Sequence, residues 1–518
     1  AREGIPPEPD RVINRMLAKK ADERYARAGD VAAALTALLS TKSSSSAEGE
    51  AFPSIAVLPF LNMSADPENE YFSEGLAEEI INGLSRLRHL RVVARTSAFA
   101  FKGKEQDIRE IGRKLNVSTI LEGSVRKSGN RLRITAQLIN VADGFHFWSE
   151  QFDREMKDVF AIQDEISLEI TKKLNVSLQR GERSPAVPRI ENLEAYHLYL
   201  RGRFLVYKWT QGSLFKAIDC FEQVLVDAPN FAPAIAGIAE SYFFLGFLNL
   251  VPPRESFPKA GEMAQKAIDR DPSLAFAHTI LGLTRLHFEW DWPGAEKDLK
   301  QALALNAQDG LAHAGYGTYL LVMGRLEEAV IEFSRELKIN PLASSTAFNI
   351  GVSLMRAGRL DQAIARMKIL SEGEEDHPYN QWILGQALFL RGERKTGIER
   401  MRRAVDQSKR NPMILSGLGW ALAMDGQTTE AEEIIAELKR RSDEEQIRPY
   451  LIAKIQAGLN QADQAFAWLE QSYRQHDPSL AFILTDETLV HLRADPRFDD
   501  LLVRLKLDPN VKPGTDPG

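Results

Sequence analysis

Residues 316–358 read YGTYLLVMGRLEEAVIEFSRELKINPLASSTAFNIGVSLMRAG, and the pattern in them predicts the fold of the larger part of the chain. Gly317 returns as Gly351 and Gly324 returns as Gly358, in both cases 34 residues later. The same step continues at Gly385, Gly392, Gly419 and Gly426. Self-similarity at a fixed period of this length indicates a repeat architecture.

Each repeat has the residues of two amphipathic helices. The first glycine lets two helices approach closely, and the second ends the first helix because glycine tolerates a left-handed backbone. Small residues such as Ala329 and Ala363 let the second helix pack against the first. One helix pair cannot bury its apolar face alone, so neighbouring pairs must stack. We predict an all-α superhelical solenoid of about eight repeats over residues 190–505, then a disordered tail at residues 506–518.

This pattern resembles the tetratricopeptide repeat (TPR) family, most clearly from about residue 310 to residue 445. The resemblance implies that the first helix of each pair lines a groove that binds a protein or peptide. Positions three before, one after and four after the first glycine should face this groove. They are Phe348, Val352, Met355, Trp382, Gln386, Phe389, Ser416, Trp420 and Ala423.

Two interpretations of these positions stay open. Trp382, Trp420 and the phenylalanines could anchor a peptide, since aromatic side chains dominate interface energetics. They could equally pack against the next helix, because a register error of one residue moves each ring into the core. Asn349 and Arg356 are too few for a charge clamp on a terminal carboxylate.

Residues 53–180 alternate between strand and helix patterns, which predicts a small α/β domain with a mixed sheet. Several stretches resemble the TolB-like amino-terminal domain of bacterial signalling proteins: residues 56–60 (AVLPF), 71–76 (YFSEGL), 93–97 (VARTS), 121–126 (LEGSVR) and 147–150 (FWSE). The resemblance implies fusion to output modules such as kinases, nucleotide cyclases or winged-helix regulators. It implies no catalytic site.

Residues 1–40 resemble the last two helices of a bacterial Ser/Thr protein kinase domain, on residues 9–25 (PDRVINRMLAKKADERY) and 28–35. In that family an arginine at the position of Arg24 pairs with a buried glutamate, a structural role. Residues 41–52 are rich in serine and read as a linker. The Gly-rich loop, His-Arg-Asp and Asp-Phe-Gly motifs of a kinase are absent from the sequence. We therefore expect no catalytic residues in this chain.

Composition excludes several classes of function. The net charge of −7 and pI of about 5.9 argue against broad nucleic-acid binding. The single cysteine, Cys220, cannot form a disulfide within the chain. No apolar run reaches the ~20 residues of a membrane-spanning helix. The histidines are scattered without metal-ligand spacing, so we expect no metal and no cofactor.

The preferred interpretation is a non-catalytic regulatory and protein-interaction region of a bacterial signalling protein, located in the cytoplasm. The alternative is part of an active Ser/Thr protein kinase whose catalytic domain lies upstream of this chain. A periplasmic scaffold resembling TolB is disfavoured by the missing signal segment. The partner and the oligomeric state do not follow from the sequence.

Overall fold

A computed structural model describes residues 53–511, apart from residues 65, 67–68, 88, 105, 177–189, 191, 372–376 and 443–444. The predictions for residues 1–52, including the kinase-like helices, the linker and Arg24, lie outside the described residues. So does the part of the predicted tail from residue 512 onward.

The α/β domain is built on one mixed sheet, as the alternation of strand and helix patterns predicts. Its strand order is β3-β1-β4-β5-β6, and the short β2 pairs with β4. The pairs of β1 with β3 and β4 are parallel, whereas β4-β5-β6 is an antiparallel meander. The strands are β1 (Ser54–Val57), β2 (Leu61–Asn62), β3 (Arg91–Val92), β4 (Thr119–Ser128), β5 (Arg131–Asn140) and β6 (His146–Glu155).

The helices form two apolar cores with the sheet, one larger than the other. The apolar face of α1 packs with Trp148 and Phe152 of β6 and with α4 in one buried core. A smaller core on α3 joins Ile111 and Leu115 to Ile120 of β4. The four helices of this domain are α1 (Glu70–Leu84), α2 (Arg95–Phe99), α3 (Ile108–Leu115) and α4 (Val159–Lys173).

The helical part contains eight antiparallel helix pairs in the described residues. The pairs are α5 (Leu193–Val206) with α6 (Gln211–Asp227), α7 (Ala232–Phe247) with α8 (Pro253–Arg270), α9 (Ala275–Thr284) with α10 (Trp292–Leu305), α11 (Gly310–Val322) with α12 (Leu326–Ile339), α13 (Ser344–Arg356) with α14 (Leu360–Ser371), α15 (Pro378–Leu390) with α16 (Arg394–Gln407), α17 (Pro412–Met424) with α18 (Thr428–Arg441), and α19 (Pro449–Gly458) with α20 (Ala462–Gln475). A final helix, α21, spans Pro496–Arg504.

The repeated glycines do what the sequence predicts. Gly324 and Gly358 end first helices with φ of 76° and 72°, in the left-handed region. A Cβ on Gly317 would lie 2.7 Å from the Phe333 ring of the paired helix. The glycine therefore permits the close approach of α11 and α12.

The predicted boundary of the C-terminal tail is wrong by a few residues. Leu505 and Leu507 are buried against the last repeats and belong to the solenoid core. The Leu505 carbonyl also accepts a hydrogen bond from the Trp292 indole Nε1 at 3.0 Å. The packed chain therefore runs past residue 505.

Candidate partner-binding site

The nine predicted groove residues lie on the three first helices α13, α15 and α17. Eight of them are buried, and only Phe348 is half-buried. They do not form an open groove in this structure, because other parts of the same chain cover them. Binding of a partner at these positions stays a prediction.

The two tryptophans pack against the next first helix. The Trp382 indole lies against Gly417 of α17, where a Cβ would approach Nε1 to 2.1 Å. Trp420 contacts the Phe389 ring at a centroid distance of 5.6 Å and lies against Gly458 of α19. The second interpretation of the aromatic positions therefore holds for both rings. The glycines at 417 and 458 were the signal in the sequence that could have indicated it.

A short irregular segment, residues 477–493, packs on the first helices and is called the C-terminal segment below. It forms two 3₁₀ turns, Pro478–Phe482 and Glu487–Leu492. Asp477 and Asp486 cap these turns by accepting hydrogen bonds from the backbone N–H groups of Ser479 and Thr488. Its apolar side chains Leu480, Ile483 and Leu489 are fully buried.

Glu487 of the C-terminal segment binds donors from two different first helices. Arg356 of α13 donates from Nε to Glu487 Oε2 at 3.2 Å and from Nη1 to Thr485 Oγ1 at 2.8 Å. Gln386 of α15 donates from Nε2 to Glu487 Oε1 at 2.6 Å. One carboxylate thus joins the fifth and sixth repeats, and Gln386 is the predicted groove residue that binds it.

The neighbouring Asp486 is held by α19. The Tyr450 hydroxyl donates to Asp486 Oδ2 at 3.0 Å, and Lys454 Nζ lies 3.6 Å from the same oxygen. Burial opposes the charged form of Asp486, but Lys454 and Arg356 outweigh it and hold the pKa of Asp486 below its usual value. Asp486 is therefore ionised at neutral pH in a site that excludes water.

The late repeats also contact the early ones. Arg448 donates from Nη2 to the Phe247 carbonyl, and the Asn249 side chain donates to the Gln446 carbonyl. Arg254 Nε donates to a further carbonyl of the last repeat at 2.8 Å. The second repeat therefore meets the eighth repeat and the loop that precedes it.

The sheet edge at β3 docks on the loops between repeats. Gln308 donates from Nε2 to the carbonyls of Leu87 at 2.8 Å and Leu90 at 2.6 Å. Its Oε1 accepts from the backbone N–H of Val92 at 3.2 Å. The Ala94 N–H donates to the Ile339 carbonyl at 2.8 Å. Backbone groups of the α/β domain are thus satisfied by the third and fourth repeats.

A buried charge cluster joins α1 to the first two repeats. Arg203 of α5 donates from Nη2 to Glu78 of α1 at 3.0 Å and from Nη1 to Glu240 of α7 at 2.6 Å. Arg95 pairs with Glu74 at 2.8 Å. Burial, together with the charge of Glu78, raises the pKa of neighbouring Glu79 to about 7.

Two further observations concern metal binding and membrane insertion. Within the described residues, no group of histidine, cysteine and acidic side chains is arranged to hold a metal ion. No helix in the described part of the chain is long and apolar enough to cross a membrane.

Comparison with known families is consistent with the two-part fold. A tetratricopeptide repeat profile matches residues 291–344. These residues of the solenoid are therefore similar to a tetratricopeptide repeat. The α/β domain matches a profile described as the second domain of HilA/YgeH-like transcriptional regulators, over residues 51–169. The TolB-like resemblance of this domain stays a prediction.

Two curated relatives match longer stretches. A Rhizobium meliloti protein named putative adenylate cyclase 3 is 42% identical over 234 residues, which are 45% of this chain and 40% of that protein. The transcriptional regulator HilA of Salmonella typhimurium is 23% identical over 350 residues, 65% of this chain and 60% of that protein. The chain thus spans less than two thirds of the length of either relative.

The solved structures that resemble this chain match it weakly. A tetratricopeptide repeat protein from Parabacteroides merdae has a TM-score of 0.34 at 17% identity, over 51% of this chain and 92% of that one. A monomeric IFIT1 mutant bound to Gppp-AAAA has a TM-score of 0.36 at 17% identity, over 67% and 72%. Both scores lie below 0.5 and carry no functional meaning.

Proposed function

We propose that this chain is a non-catalytic regulatory and protein-interaction region of a bacterial signalling protein. Its α/β domain and its TPR solenoid act together as one body, and a separate output module supplies the activity of the whole protein. The observation that carries the proposal is the junction between the two parts. Gln308, Arg203 and the β3 edge join them through hydrogen bonds and ion pairs, and we propose that a partner bound to one part acts on the other through this junction.

The relatives support our proposal that the whole protein is divided into a regulatory region and a separate output module. One is named a putative adenylate cyclase and the other a transcriptional regulator, yet both resemble large parts of this chain. A region shared by proteins named for different activities is suited to regulation rather than to one reaction. The alternative, that the chain is part of an active Ser/Thr protein kinase, rests on residues 1–40 alone. The cytoplasmic location that the kinase resemblance implies is part of our proposal.

The proposal is tested by capturing partner proteins and then measuring the binding of each purified partner. The full 518-residue chain is used as bait in a bacterial lysate, and captured proteins are cross-linked and then purified for direct binding measurement. We expect saturable binding of a purified partner, with cross-links to the solenoid. The purified chain should neither transfer labelled phosphate from ATP nor form cyclic AMP. Turnover above a blank without protein would contradict the non-catalytic proposal, and the failure of every purified candidate to bind would contradict the interaction proposal.

A further inference from the structure

The strand β6 forms one edge of the sheet. Among the described residues β5 is its only strand partner, so its other side is unpaired there. The β3 edge, in contrast, is docked on the repeats through Val92 and Ala94. β6 has 10 residues and contains neither proline nor lysine, two residue types with which proteins block a sheet edge. An exposed edge of this length is suited to pairing with another strand.

The pairing with β5 determines which backbone groups of β6 point to the outer side. Directly after β6, the Met156 N–H donates to the Asn130 carbonyl at 2.9 Å, so these two residues form a hydrogen-bonded pair. Such pairs alternate along an antiparallel ladder, and the register runs without a break from Met156 back to Trp148. Even-numbered residues therefore direct their backbone groups to β5. The residues that direct theirs outward include Ser149, Gln151 and Asp153.

The charges of β6 are complementary to those of a second, antiparallel copy of β6. If Phe152 of one copy lies opposite Phe152 of the other, Glu150 lies opposite Arg154 at both ends of the pair. Both charged side chains are exposed. A register centred on Glu150 or on Asp153 would place two like carboxylates opposite each other, which is destabilising. A register centred on Gln151 would place Glu150 opposite Phe152. The charges therefore favour the register centred on Phe152.

We propose that β6 pairs with β6 of a second copy of this chain, antiparallel and centred on Phe152, so that two sheets join into one. In this register Gln151 of one copy and Asp153 of the other form hydrogen-bonded pairs, which supply about four main-chain hydrogen bonds. The two Glu150–Arg154 ion pairs fix the register. A second copy is the partner that fits, because it supplies both charges at the required spacing.

This dimer goes beyond the proposed function, because it would bring two copies of an output module together. An interface made by two strands is at the small end of the range for specific complexes. We therefore expect a dimer that dissociates on dilution.

The test is the oligomeric state of the full 518-residue chain in solution. Sedimentation velocity over a wide range of protein concentrations measures the dissociation constant of the dimer. We expect Glu150→Arg and Arg154→Glu each to raise this constant at least about tenfold, because each places like charges opposite each other at both ends of the pair. The double variant Glu150→Arg/Arg154→Glu restores opposite charges and should dimerise like the wild type. Glu432→Arg, at an exposed position on α18, is the matched control and should not change the constant.

Gln151→Pro tests the main-chain hydrogen bonds. Proline removes an N–H group that points away from β5, so the ladder within the sheet is kept while the outer edge is blocked. We expect the wild-type circular dichroism spectrum and loss of the dimer. If this variant or the double variant fails to fold, hydrogen exchange on the wild type decides. Residues 148–156 should exchange more slowly at concentrations where the dimer forms than after dilution.

A wild type that stays monomeric at every concentration overturns the proposal. A dimer that persists unchanged in both single charge reversals, or in folded Gln151→Pro, overturns it as well. So does a folded double variant that fails to dimerise, since the register requires the exchanged charges to pair again. Exchange of residues 148–156 that does not depend on concentration would also contradict it. None of these outcomes affects the capture of partner proteins, so the proposed function is judged separately.

Discussion

Arg203 and Glu78 belong to different domains, yet their Nη2 and Oε1 atoms lie 3.0 Å apart and both side chains are nearly removed from solvent. Arg203 also pairs with Glu240 of the second repeat. Replacing Arg203 would leave the buried Glu240 carboxylate without its cation, while Glu78 would keep its ion pair with Arg95 at 3.1 Å. The pair therefore joins the sheet domain, the first repeat and the second repeat through one side chain.

We predict that Arg203→Ala lowers the free energy of unfolding by about 3–5 kcal/mol, the usual cost of breaking a buried ion pair. Urea denaturation followed by circular dichroism measures it. Arg201 lies on the same helix with its side chain exposed, so Arg201→Ala should change stability by less than about 0.5 kcal/mol. Equal effects of the two substitutions would refute the role of the buried cluster.

Glu79 should make stability depend on pH near neutrality. Its folded pKa is about 7, above the ordinary value of 4.5, so the folded protein binds the proton more tightly than the unfolded chain does. This contribution is fully present below pH 4.5 and is lost as pH rises through about 7. Its loss costs about 3 kcal/mol of unfolding free energy, from the size of the pKa difference.

The measurement is the difference in stability between wild type and Glu79→Gln across this pH range. Taking the difference removes the contributions of Glu336, which also has a raised pKa of about 7, and of His287, whose pKa is lowered to about 3. We expect the variant to gain stability relative to wild type as the pH rises. Glu262 is exposed, so Glu262→Gln should show the same pH dependence of stability as the wild type. A stability difference between wild type and Glu79→Gln that stays constant with pH would contradict the raised pKa of Glu79.

Trp382→Ala and Trp420→Ala should each destabilise the solenoid. Both rings are buried against the next first helix, so truncation leaves a cavity that costs about 3–5 kcal/mol. Trp209 is half exposed, and Trp209→Ala is the control with a much smaller expected loss. An unchanged melting temperature together with weaker partner binding would instead restore the open-groove interpretation.

Gln308→Ala should loosen the sheet edge without unfolding the solenoid. The substitution removes three hydrogen bonds to the backbone around β3, at an expected cost of about 1–3 kcal/mol for groups left unsatisfied. Hydrogen exchange should rise at residues 87–92 and stay constant in α17. Gln301→Ala, on the exposed side of α10, should leave both regions unchanged.

The periodic part of this fold was predictable because its causes are local. Gly324 and Gly358 end helices whatever lies elsewhere in the chain, and the strand and helix patterns of residues 53–180 gave the mixed sheet. The covering of the first helices was not predictable from such patterns. Glu487 meets Arg356 across 131 residues of chain, from a segment whose 3₁₀ turns are too short to have a period. Arg356 therefore looked isolated in the sequence, while its partner lay in the region assigned to the end of the solenoid.

The hydrogen bonds of Arg448 and Asn249 have a consequence for the evolution of this array. In an open solenoid, recombination can add or delete a repeat, because each unit contacts only its neighbours. Here the second repeat must meet the eighth at a fixed distance. An inserted or deleted 34-residue unit between them would displace one partner by a whole repeat. The contact between the second and eighth repeats therefore constrains the number of repeats. Homologues of this chain should vary in loop sequence but keep the same number of repeats.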